Sequence, residues 1–273
     1  MNEGRVRRLH FEMETTRIGA GMAAHRELNE ERMAATLEAL DRCRQVVERW
    51  DARLARAVAT SAVREAINGP EFARRAAQVL GAPLEVISGE EEAYLSYLGV
   101  AGGLPEIKRP LVLDIGGGSS ELIWMGDSGL EAHSLRVGAV SLTEDAARLA
   151  ALEEGKHLFG RLSQEEGLTL VGVGGTATTL AAIELGMETY DPDRVQGFSI
   201  AVSEAWDIYD RLASLTLEQR MRVTGLQPSR ADIILAGIQI LLEIMRRCGK
   251  DHLVVGESDL LYGIIQSAGS RKL

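Results

Sequence analysis

LVLDIGGGSSELIW, residues 111–124, decides the fold. An apolar, β-branched run ends at Asp114. Three glycines and two serines follow, and Glu121 arrives as the chain turns apolar again. That order predicts a strand, a tight turn and a second strand. Gly116, Gly117 and Gly118 carry no Cβ, so their backbone can turn sharply and bring its N–H groups close to an anion. Ser119 closes the turn. Asp114, at a strand end, is placed to hold a hydrated metal ion or to orient a water. A P-loop would carry Lys and Ser/Thr at the end of the glycine run, and neither is present. A dinucleotide fingerprint would open a helix after its glycines, whereas GSSELIW reads as a strand. A phosphate-binding β-hairpin beside two carboxylates remains.

LTLVGVGGTATTLAAIEL, residues 168–185, supports this reading. Another apolar strand runs into Gly172, Gly174, Gly175 and Thr176, and here a helix follows. The free N–H groups of a helix N-terminus carry partial positive charge and favour anions. Two such turns, one leading to a strand and one to a helix, suggest a duplicated phosphate-handling fold whose turns face one another across a crevice.

The chain has 273 residues and a formal charge of −10. That length supports one or two domains. The acidic balance argues against nucleic acid as a bulk partner. No run of eighteen apolar residues suggests a membrane span, and the N-terminus lacks the apolar stretch of a signal peptide. Cys43 and Cys248 sit in helical patterns and read as core thiols, which together place the chain in a reducing cytoplasm.

Strands alternating with helices make the chain α/β. Residues 5–18 read as a strand or strand pair and 29–50 as a helix capped by Asn29. LARAVAT (54–60) and LEVIS (84–88) read as strands, and SAVREA, the segment after Pro70 and 89–102 as helices. Further helices are expected over 143–160, 203–213 and 228–248, with a strand at HLVVG and a final helix at SDLLYGIIQSA. The 228–248 segment is almost wholly apolar and must be buried, while its ends would suit a homodimer. GGLPEIKRP (102–110) is the best linker.

Glu90, Glu91 and Glu92 open a helix after a strand end, where ligands are approached in α/β folds. They read either as a solvated first turn favoured by the helix dipole or as the source of a general base. Thr60, Ser61 and Arg64 form a hydroxyl-rich turn, in which Arg64 would pair with a phosphate oxygen or with a neighbouring glutamate. Arg5, Arg7 and Arg8 read as a basic entry rim or as a solvated edge strand. The five histidines show no ligand spacing.

These residues resemble the Ppx/GppA phosphatase family (exopolyphosphatases and guanosine pentaphosphate phosphohydrolases), within the actin, sugar kinase and Hsp70-like group. The segments that carry the resemblance are TRIGAG (16–21), AVATSAVREAING (57–69), EVISGEEEAYLSYLGV (85–100), LVLDIGGGSSELI (111–123), RVGAVSLTE (136–144), LVGVGGTATTLAA (170–182), YDPDRVQGF (190–198) and PSRADIILAG (228–237).

The resemblance implies two ribonuclease-H-like, actin-like domains around a cleft, over 1–106 and 107–257, with 258–273 packing back on the first. It implies Mg²⁺-assisted hydrolysis of a terminal phosphoanhydride. Glu92 is then the base, with Asp114 and Glu121 near metal and lytic water. Gly116, Gly117, Gly118 and Ser119 hold phosphate, with Gly174, Gly175 and Thr176 forming the second loop; Thr60, Ser61 and Arg64 join the candidate phosphate contacts from the reading of their own turn. The family pattern opens with an Asp-x-Gly-Thr-Asn-Ser loop. TRIGAG enters beyond it, so the first domain is expected to lack its N-terminal strand and phosphate loop. SDLLYGII also lacks the family's Leu-Arg-Glu-Gly. Polyphosphate and guanosine penta- or tetraphosphate stay open as substrates. A non-catalytic alarmone-binding protein and a sugar or acetate kinase relative stay open as rivals.

Overall fold

The computed structural model describes residues 9–12 and 14–270. Packing divides them into two compact units, one running to Glu92 and resuming at Ile264, the other spanning Ala93–Gly263.

In the first unit, helix α1 (Met22–His25) precedes α2 (Glu30–Arg49). Asn29 caps α2 as expected, its Oδ1 accepting from the amides of Glu31 and Arg32 at 2.9 and 3.2 Å. Strands β1 (Ala57–Ala59) and β2 (Leu84–Val86) pair in parallel, with α3 (Ser61–Glu65) and α4 (Gly69–Leu80) between them in sequence. Leu28, Met33, Val63, Phe72 and Ala76 form the core. Leu37 and Leu40 pack against this core, but no later residue of α2 does. That is why Cys43 is exposed rather than a core thiol. Residues 9–12 and 14–17 form no strand, against the strand expected there. Side chains tie this segment to α2 instead: Thr36 donates to the Thr16 hydroxyl at 2.8 Å and Arg42 to Glu14 at 2.7 Å. Arg5, Arg7 and Arg8 lie outside the described residues.

Helix α5 (Gly89–Gly103) leads into the second unit. Strands β3 (Pro110–Ile115), β4 (Ser120–Gly126) and β5 (Gly129–Leu135) form an antiparallel meander. Then come α6 (Ala139–Glu144), a 3₁₀ segment (Ala146–Glu153), α7 (Lys156–Gln164), β6 (Thr169–Val173), α8 (Gly174–Glu184), α9 (Pro192–Val195), β7 (Ser199–Ala201) and α10 (Val202–Ala213). Helices α11 (Leu217–Arg220) and α12 (Ile234–Cys248), strand β8 (His252–Val255) and helix α13 (Leu260–Ser270) complete the chain.

The six-stranded sheet has the order β5-β4-β3-β6-β8-β7, with β3, β6 and β8 parallel. On one face, Ala93, Val100 and Leu104 pack against Val112, Ile123, Val171 and Val173. This burial is why the packing boundary falls inside α5, whereas composition marked 102–110 as a linker. The other face carries the larger core, including Leu111, Leu113, Leu170, Leu180 and Ile208.

Two helices differ from expectation. The segment 143–160 breaks into α6, the 3₁₀ segment and α7, because Asp145 turns extended and caps the amide of Ala147. The apolar segment 228–248 is helical only from Ile234. Pro228 opens a 3₁₀ turn, and Arg220 Nη1 donates to the Ala231 carbonyl at 3.0 Å. Ile234, Ile238, Leu241, Ile244 and Cys248 are all buried, as the apolar pattern predicts. Burial pushes the Cys248 thiol up to about 12. No helix among the described residues is long and apolar enough to cross a membrane.

Candidate active site

Within each unit, most of the candidate residues lie at or just beyond the C-terminal ends of parallel strands, where strand ends leave backbone groups unpaired and helices begin. In the second unit β3 and β4 form the predicted hairpin, and the Gly116 amide donates to the Ser119 carbonyl at 2.9 Å. Asp114 and Glu121 stand directly opposite one another in the ladder. Opposed residues of an antiparallel pair project from the same face with Cβ atoms roughly 5 Å apart. Glu121 is held in place, its Oε1 accepting from the hydroxyls of Ser119 at 2.6 Å and Ser134 at 2.9 Å.

The first turn of α6 orients the glycine turn. Ala139 donates to the Gly116 carbonyl, and Val140 and Ser141 both donate to that of Gly117, each at 2.9 Å. The Ser141 hydroxyl reaches the Gly118 carbonyl at 3.4 Å. In a planar trans peptide the C=O of one residue and the N–H of the next point oppositely. With these carbonyls turned toward α6, the amides of Gly117, Gly118 and Ser119 face away from it. None of the three donates to another described residue. Gly117 and Gly118 are exposed. A row of such amides is an anion-binding concavity. It exists because position 138 is glycine: a Cβ there would lie 2.6 Å from the Gly117 oxygen and the Gly118 nitrogen.

The second glycine turn lies beside the first in the same sheet, because Val173 pairs with Asp114. The two turns are therefore neighbours on parallel strands, not partners facing each other across a crevice. Gly174, at φ +76°, opens α8, and a Cβ there would sit 2.7 Å from Asp114 Oδ1. At Gly175 a Cβ would overlap the Arg230 guanidinium. The turn is thus packed between a carboxylate and a cation. The Thr176 side chain is buried and packs on Gly237 of α12, so only its backbone belongs to the helix N-terminus.

In the first unit, Thr60 and Ser61 follow β1, and Glu92 lies in the first turn of α5 after β2. The Thr60 carbonyl accepts from the amides of Val63 and Arg64. Arg64 Nη1 donates to Glu92 Oε2 and to the Ile87 carbonyl, both at 2.9 Å. The glutamate pairing considered for Arg64 is thus made, with Glu92. Arg56 binds Glu85 through two hydrogen bonds, at 3.0 and 2.7 Å, and Glu91 at 2.8 Å. Those carboxylates, Glu85 first, raise the Arg56 guanidinium further above its usual range.

Comparison with known proteins assigns the chain. The model of the Ppx/GppA phosphatase family matches residues 1–269. The chain belongs to the Ppx/GppA phosphatase family. It is 33% identical over 287 residues to exopolyphosphatase 2 of Mycobacterium tuberculosis, covering 97% of this chain and 90% of that protein. The crystal structure of the Aquifex aeolicus family member matches with a TM-score of 0.74 and 31% identity, over 94% of this chain and 87% of that one. An exopolyphosphatase-like protein matches at a TM-score of 0.80 and 27% identity, over 94% and 88%. The α/β fold is that of solved Ppx/GppA members, as the motifs implied.

Sequence reasoning did not single out Arg56, Ser134, Gly138 or Arg230. Gly138 and Arg230 lie inside motifs that carried the resemblance, RVGAVSLTE and PSRADIILAG. Their bearing on the glycine turns shows only once α6 and the 228–230 turn are folded against them.

Proposed function

We propose that this member of the Ppx/GppA phosphatase family releases phosphate from inorganic polyphosphate by hydrolysing its terminal phosphoanhydride bonds. Membership makes the chain a phosphoanhydride hydrolase. The observation that carries the polyanion reading is the row of outward amides at Gly117, Gly118 and Ser119 beside the Asp114–Glu121 pair. Phosphoryl transfer needs positioning, charge neutralisation and an oriented water rather than a covalent nucleophile.

The donors suit Mg²⁺. Asp114 and Glu121 offer hard oxygen ligands, and this ion is ordinarily held by one or two carboxylates plus waters and phosphate. No larger group of metal-binding side chains assembles among the described residues. When bound, Mg²⁺ would offset the charge of the phosphates. The turn amides would bind the terminal phosphate, and Arg230 would add positive charge beside Gly175. Glu92 would accept the proton of the attacking water while the leaving phosphate keeps the electrons of the broken P–O bond. Arg64 holds the Glu92 carboxylate in one orientation.

Phosphate release from polyphosphate and from guanosine pentaphosphate, with Mg²⁺ and with EDTA, tests this. Release from polyphosphate that stops in EDTA and returns with Mg²⁺ is expected. Release from guanosine pentaphosphate alone would transfer the activity to that substrate. Calorimetric binding without release from either would make the protein an alarmone or polyphosphate sensor.

Gly138→Ala probes the anion turn separately. A Cβ there drives into the Gly117–Gly118 peptide. The KM for polyphosphate is expected to rise about tenfold or more, since a misplacement near 1 Å is enough for such losses. An unchanged KM would remove the turn from substrate binding.

A further inference from the structure

Three consecutive glutamates at the start of α5 need explaining, because only Glu92 has been given a chemical task. Successive helical residues point about 100° apart, so Glu91 and Glu92 project in different directions. Each meets its own arginine: Glu92 meets Arg64 and Glu91 meets Arg56. Arg56 also grips Glu85 on β2, so one guanidinium ties the strand to the first turn of the following helix. Its side chain is only 17% exposed, and a fork bound to one carboxylate through two bonds is geometrically demanding. The Ser88 hydroxyl accepts from the Glu91 amide at 3.1 Å and the Ser88 carbonyl from the Glu92 amide at 2.9 Å. The residue before Glu92 is thus tethered through both its backbone and its side chain.

We infer that Arg56 is a positioning residue for Glu92: by bridging Glu85 and Glu91 it fixes the first turn of α5, and so the direction in which the Glu92 carboxylate points. The inference rests on the reading of Glu92 as the base. It divides the Gly-Glu-Glu-Glu run into parts, with Glu91 as the anchor and Glu92 as the acting group. A lysine at 56 keeps the charge but cannot span two carboxylates with a planar fork.

The test is steady-state phosphate release from polyphosphate by Arg56→Ala, Arg56→Lys, Glu91→Ala, the Arg56→Ala/Glu91→Ala double variant and Glu92→Gln, each with a thermal melt. Arg56→Ala is expected to lower kcat about 10- to 100-fold with KM within about twofold. Arg56→Lys should recover only part of that loss. Glu91→Ala removes the acceptor of the Arg56 bond and should match Arg56→Ala, and the double variant should be no worse than either, because all three cut one tether. Glu91→Ala also keeps the experiment decisive if Arg56→Ala fails to fold. Full kcat in Arg56→Ala or in Glu91→Ala, with Glu92→Gln inactive, overturns the inference alone. Losses that multiply in the double variant do the same. Full kcat in Glu92→Gln overturns both this inference and the assignment of the base.

Discussion

Glu92→Gln is expected to lower kcat for phosphate release by about 10²–10⁴-fold while leaving the fold intact, since that is the range a positioned general base contributes. The substitution removes the proton acceptor and little else. A glutamine Oε1 can still accept from Arg64 Nη1, the partner that holds Glu92 Oε2 at 2.9 Å. The Glu92 amide keeps its bond to the Ser88 carbonyl, so the helix start is unaltered. KM should hardly move, because the phosphate is gripped by other groups. Steady-state kinetics and a melting curve on the same preparation separate these quantities. Turnover at the native rate would strike Glu92 from the mechanism, and a collapsed melting temperature would show the change to be structural.

The largest stability effect is expected at Gly263. Helices α5 and α13 approach so closely there that a Cβ would overlap the Leu95 carbonyl oxygen and lie 2.6 Å from its carbon. The contact is reciprocated at Gly99, where a Cβ would lie 2.9 Å from the Asp259 carbonyl carbon. Backbone cannot move aside as a side-chain tip can, and Ala93 and Val100 lock α5 against the sheet. Overpacking of this kind costs about 1–3 kcal/mol, so Gly263→Ala should lower the melting temperature by roughly 2–12 °C. Helix propensity acts the other way, favouring alanine by up to about 1 kcal/mol. The sign of the shift therefore decides whether close packing governs. Gly160 in α7 is the control, because a Cβ there meets nothing within 4 Å. Gly160→Ala should raise the melting temperature slightly, and equal shifts at 160 and 263 would refute the packing argument.

How much could be read in advance varied with how local each feature is. The hairpin at 116–119, the strand-to-helix turn at 174 and the Asn29 cap were legible because each rests on a few adjacent residues. Strands β5 and β7 went unread: Gly129–Leu135 is half polar and Ser199–Ala201 is very short, and pairing with β4 and β8 is what makes them strands. Cys43 follows the helical spacing of Leu37 and Leu40, yet the core ends before reaching it. The 228–248 run is apolar throughout, so its pattern could not show that its first residues form a separate turn presenting Arg230 to Gly175.

The sequence by itself determined the α/β class, the family and the positions of both glycine turns, because glycine freedom, strand alternation and motif order are properties of neighbours along the chain. Only the tertiary structure decided that both glycine turns rise from adjacent strands of one sheet. It also decided that Arg64 meets Glu92, that Arg56 ties Glu91 to Glu85, and that α6 turns the peptide amides outward. Those are contacts between residues far apart in sequence, and they arise only when burying the apolar faces of strands and helices brings the polar ends into register.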